Sequence, residues 1–181
     1  GYPLTGALAG LVSSTNATYS FALLSRERRL PAATLATGAL AACTVLFPRV
    51  LVATAVLDAR VALALLPYLV GPFAVGAGVL VWWLRTTSAP DGAPQPAVNP
   101  LQVWPALQMA GTFQLVLFGV ALVRLWFGDV GLLATGAVLG LTDVDALTIS
   151  MDKSASTGVA PMLAAQAIAL GILANSLMKA A

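Results

Sequence analysis

Residues 31–57 run for 27 positions with a single charged side chain, Arg49, and apolar runs of this kind recur from one end of the chain to the other. A segment so long and so apolar has few places to fold. In lipid no water can satisfy a backbone N–H or C=O, so the spanning solutions are a closed barrel or an α-helix, and continuous rather than alternating hydrophobicity selects the helix. The remainder of the chain gives no material for a soluble surface. Only 9% of its 181 residues are charged and 59% are hydrophobic, against about a quarter charged in a typical soluble domain. The sequence therefore predicts an all-α integral membrane protein, a polytopic transmembrane helix bundle whose surrounding partner is the lipid bilayer. The net charge of +2 is a sum over loops and gives no basis for nucleic-acid binding.

Chemistry is narrowed further by what is missing. Cys43 is the one cysteine, which excludes a disulfide framework and a CxxC metal site. With no histidine, the commonest metal ligand and the usual general base are absent. The chain opens at Gly1 with neither a methionine nor a signal-peptide pattern, and it reads as a piece of a longer membrane protein, truncated at its N-terminus.

A crossing needs about 20 mostly apolar residues, and charged or proline-rich punctuation leaves room for about six: residues 3–24, 31–57, 61–84, 101–127, 130–151 and 159 to the end. Pro67 and Gly71-Pro72 predict a kink or break within the third. Residues 85–100, with four prolines, form an aqueous loop between a first membrane half, 1–84, and a second, 101–181. Lys and Arg divide almost evenly between the two sides. The cluster at 26–29 places its loop in the cytoplasm, with both visible termini opposite. Arg49 and Lys179 are expected to snorkel to an interface.

A second pattern cuts across these spans. Gly6-Ala7-x-x-Gly10-Leu11 recurs as Gly136-Ala137-x-x-Gly140-Leu141, Thr18 and Ser20 as Thr148 and Ser150, and Pro31, Leu40 and Arg49 meet Pro161, Leu170 and Lys179, all at one offset of 130 positions. Residues 6–49 thus match 136–179 as an internal repeat. The copies are parallel if all six segments cross, and inverted if the third is re-entrant.

The copies differ in charge. Where the second carries Asp143 and Asp145, the first carries Ser13 and Thr15. On one continuous helix Thr142, Asp145, Thr148 and Asp152 would form a polar stripe about a third of the circumference wide. An aspartate at mid-bilayer costs about 2.5–3.5 kcal/mol, so such residues persist only when paired, protonated, hydrated or bound to a cation. Ser13, Ser14, Thr15, Asn16 and Thr18 supply uncharged oxygens in the first copy, and Asn175 adds an amide from the sixth span. These residues make a candidate mid-membrane site for an ion or small molecule, formed by spans one and five. Asp143 and Asp145 are its metal or proton ligands, and a divalent cation such as magnesium fits one or two carboxylates plus water. The paired Gly-xxx-Gly faces support a different role, helix packing in a non-transporting regulatory or scaffolding module. Without histidine, a nucleophile elbow or HExxH, the chain is not expected to be an enzyme.

Gly10-Leu11-Val12-Ser13-Ser14-Thr15, Asn99-Pro100-Leu101, Gly140-Leu141-Thr142-Asp143-Val144-Asp145-Ala146 and Asn175-Ser176-Leu177-x-Lys179 together resemble a bacterial integral-membrane family of unknown function found fused to MgtC/SapB-type domains. Asn16 departs from the small apolar residue usual at its place. The resemblance implies a multi-pass protein of the bacterial inner membrane with no resident cofactor, and a loose association with magnesium. The partner it implies is a missing N-terminal membrane domain; a homo-oligomer is the other expectation.

Overall fold

The apolar runs fold as helices wherever the computed structural model describes them, which is at residues 2–26, 31–86 and 103–180. Helix α1 is Tyr2–Arg26, α2 Ala32–Leu57, α3 Ala59–Thr86, α4 Val103–Thr142, α5 Val144–Ser156 and α6 Pro161–Ala180. Three are long and apolar enough to cross a membrane, at Ala33–Leu57, Ala59–Thr86 and Pro161–Ala180, and they coincide with the second, third and sixth expected spans. The chain is an all-helical membrane protein. Most of the proposed aqueous loop and the Glu27-Arg28-Arg29 part of the charged cluster lie outside the described residues.

The breaks fall where the prolines are not. Helix α3 continues through Pro67 and Pro72, and α2 through Pro48. Interruptions occur instead at Ser13 inside α1, at Gly128 inside α4, and at Asp143 between α4 and α5. Gly128 has φ +56° and ψ −141°, a conformation that a side chain would strain, so glycine is required there. The fifth expected span is accordingly two shorter helical pieces rather than one.

The chain divides into two compact units, Gly1–Val52 with Leu66–Ala93, and Ala53–Leu65 with Pro94–Ala181. In the first, α1 lies against α2 through small residues. A Cβ placed on Gly6 would overlap the Gly38 backbone, and one on Gly10 would come within 2.7 Å of the Ala42 Cα and carbonyl oxygen. Below this contact Phe21, Ala17, Leu35 and Ala42 form a buried cluster. In the second unit α4 and α5 pack on α6. Gly136 meets the Ala167 backbone and Gly140 the Gly171 backbone, with Leu132, Leu147, Met151 and Ile168 buried around them. Helices in lipid gain nothing from hydrophobic burial against each other, so close backbone approach through glycine is what makes these pairs fit.

Corresponding positions in the two units have corresponding environments. From residue 3 to residue 17, every position whose side chain is described has the same burial, buried, half-buried or exposed, as the residue 130 positions later. The environments diverge after that. Thr148, Ser150, Asp152 and Ala155 are buried, whereas Thr18, Ser20, Ala22 and Ser25 are half-buried or exposed.

Candidate functional site

Ser13 departs from its helix with φ −160° and ψ 112°, an extended residue between two helical pieces. Serine suits this place because its hydroxyl can cap the helix that restarts after it. The break releases carbonyls of the preceding turn from their helical partners. Arg49 on α2 takes two of them: its Nη1 donates to the carbonyl oxygens of Gly10 and Leu11, each at 3.0 Å. Arg49 is half-buried in this role.

The second break repeats the backbone and changes the side chains. Asp143 has φ −152° and ψ 105° and is the N-cap of α5, its Oδ1 accepting the N–H groups of Asp145 at 2.9 Å and Ala146 at 3.1 Å. Its own N–H still donates to the Leu139 carbonyl, and its carbonyl accepts from Leu147, so the ladder is interrupted for a single residue. Asp145 falls in the first turn of α5, where the helix dipole favours a negative charge. Across from the break, Asn175 Nδ2 donates to the Gly140 carbonyl at 2.8 Å. The same glycine position that Arg49 engages in the first unit is thus engaged by an amide in the second.

This geometry revises the expected stripe. Because the helix stops at Asp143, only Thr142 is cut off from the stripe, while Asp145, Thr148 and Asp152 remain at i, i+3 and i+7 on the one helix α5. Thr142 is exposed and bonds back to the Leu139 carbonyl. Thr148 is buried and bonds back to Val144 at 2.7 Å, as Thr18 does to Ser14 at 2.8 Å. Hydroxyls satisfied within their own helix are ordinary helix chemistry. Thr18 also stands 3.8 Å from the Cys43 sulfur. Ser14 is buried, Ser13 and Thr15 are half-buried, and the Asn16 side chain lies outside the described residues.

One enclosed acid belongs to the expected stripe but was not among the expected site residues. Asp152 is 2% exposed with no hydrogen bond of good geometry to either oxygen, and the Thr54 hydroxyl, close enough to act on the carboxyl, is buried and likewise makes none. Asn175 Oδ1 is a third buried acceptor without a donor. Asp152 had a sequence signal, being a charge in an apolar neighbourhood, whereas Thr54 is one threonine in an apolar helix and had none. Among the described residues no three of His, Cys, Asp or Glu come together as a metal cluster.

A helical membrane protein with interrupted helices, two of the breaks falling at a polar residue and braced by a side chain from another helix, is the class these observations define. Its family follows from comparison with known proteins: the chain belongs to the family described as "Domain of unknown function (DUF4010)", whose model matches residues 1–181. It is 26% identical over 187 aligned positions to an uncharacterized protein of Aquifex aeolicus (strain VF5), covering 97% of this chain and 78% of the relative. No solved structure matches it.

Proposed function

We propose that the chain is a transporter-like membrane module, built by duplication, whose cation- or proton-linked chemistry is carried by the two broken helices. The observation behind this reading is the recurrence of one extended residue, Ser13 and Asp143, at the same place in two matching polar segments. Discontinuous helices in transporters present unpaired carbonyls and half-helix termini to a substrate or coupling ion, and an uninterrupted packing helix would need neither. Six crossings of a bacterial inner membrane, in a protein of the MgtC/SapB-fused kind, complete the reading. A proton, a monovalent cation, or magnesium held by one or two carboxylates plus water are the ions this reading covers.

The scaffolding alternative relies on the Gly-xxx-Gly faces for partner capture. Gly6, Gly10, Gly136 and Gly140 are already occupied by backbone contacts inside the chain, so nothing specific favours that role. The test is flux. Full-length protein in proteoliposomes, with a pH-sensitive dye inside and imposed proton, sodium, potassium or magnesium gradients, is expected to show ion-dependent movement that Asp143→Asn or Asp145→Asn abolishes. Flux that survives both changes would remove the aspartates from the mechanism.

A further inference from the structure

Asp152 sits within the last two turns of α5, 2% exposed, with neither carboxylate oxygen hydrogen-bonded. The neighbouring Thr54, near the end of α2, is fully buried with its hydroxyl unpartnered, and both residues belong to the same compact unit. An ionised carboxylate enclosed without a donor or a cation is among the least favourable arrangements a protein can hold. The charges around it do not relieve this. Asp58, at the α2–α3 junction, is the charge that acts on it and has the wrong sign. Arg60 is already engaged with Asp58 through two side-chain bonds of 3.1 and 2.8 Å. On α5 itself, Lys153 is exposed and Asp145 lies in the first turn. From the elements packed on α5, α6 carries only Lys179, in its last turn and so at the end away from the α5–α6 connection, and α4 carries Arg124 and Asp129, which flank Gly128. The matching position in the first unit is Ala22, which is exposed, so this enclosed acid has no counterpart there.

We propose that Asp152 and Thr54 form a proton-binding site, in which the carboxyl holds one proton while enclosed and releases it to water when the site opens. Uptake converts the carboxylate to the neutral acid, with water as the proton's source and destination and no other bond made or broken. The Thr54 hydroxyl then has a partner, accepting from the acid O–H or donating to its carbonyl oxygen. Use of the proton in transport rests on the function proposed above; the site itself does not.

Infrared difference spectroscopy of the full-length protein in lipid at neutral pH tests this without a flux assay. The wild type should show a protonated-carboxyl C=O band that Asp152→Asn removes and Thr54→Val shifts in frequency by taking away its hydrogen bond. Asp152→Asn, an uncharged isostere of the acid, should fold normally. If it does not, the shift with Thr54→Val still decides the matter. Two results would overturn the proposal: no carboxyl band sensitive to either change, or stabilisation of the wild type by sodium or potassium chloride at constant pH that Asp152→Asn eliminates, which would make the site one for a cation. A band present without any ion flux would contradict only the transport reading, and flux without the band only this site.

Discussion

The break in α1 and the break between α4 and α5 share a backbone and differ in electrostatics. Ser13 and Asp143 have φ of −160° and −152° and ψ of 112° and 105°, yet the first is braced by a guanidinium and the second by an amide. In the first unit the fixed positive charge of Arg49 occupies the released carbonyls. In the second, Asp143 and Asp145 stand at the break and the Gly140 carbonyl accepts from the Asn175 amide. The two breaks therefore share a backbone while the groups at them differ, a guanidinium on the carbonyls of the first, a capping carboxylate and an amide at the second.

The close glycine contact found inside each unit should be the most sensitive. Gly140→Leu drives a side chain into the Gly171 backbone, and Gly10→Leu drives one into Ala42; each should cost about 3 kcal/mol or more and abolish a monodisperse peak in detergent. Gly71→Leu, at a position with open space around it, is the control expected to behave as wild type. A Gly140→Leu protein as stable as the control would mean that the close packing is not real.

The two braces come next and should be unequal. Arg49→Met leaves two carbonyls without their charged donor, a loss of about 1.5–3 kcal/mol, whereas Asn175→Leu removes one neutral interhelical bond worth about 0.6 kcal/mol. Thermal melts of the reconstituted protein should rank them in that order. Equal effects would erase the contrast drawn between the breaks.

Capping is a smaller effect and separates geometry from charge. Asp143→Ala should destabilise by about 0.5–2 kcal/mol, and Asp143→Asn hardly at all, because asparagine caps as well as aspartate. Ser13→Ala should resemble Asp143→Ala. The smallest effect belongs to Asp58, which precedes α3, accepts the Arg60 N–H at 2.9 Å and is held down to about 2 by the hydrogen-bonded Arg60 guanidinium. Its folded value lies below that of the unfolded chain, so its stabilising contribution is present above about pH 4 and fades as the pH falls toward 2. An acid melt in which Asp58→Asn loses part of the wild-type pH dependence in that window checks this. With Arg60 exposed to solvent, the pair should matter little elsewhere.

Much of this arrangement could be read from residue order. Apolar run length placed α2, α3 and α6 within a few residues, and the offset of 130 positions pointed to the paired glycines and to the Ser13 and Asp143 positions before any backbone was known. What could not be read was where the helices stop. Pro67 and Pro72 carried the strongest breaking signal and α3 continues through both, because a membrane helix can lose a hydrogen bond and remain helical. Asp143 breaks its helix by a competing interaction, a side chain capping the next turn, which no hydropathy pattern records. The partners of Arg49 were not legible either, because the carbonyls of Gly10 and Leu11 become available to it only through the break at Ser13. The same limit hid Thr54, whose meaning comes entirely from Asp152 beside it.

The central claim is that the charge at the second break, not its geometry, carries function. Asp143→Asn isolates that charge, since the cap survives and only the negative charge is lost. Ion flux and melting temperature should be measured on one proteoliposome preparation of the full-length protein. The account predicts flux abolished at an unchanged melting temperature. Wild-type flux in Asp143→Asn, with the cap intact, would contradict it.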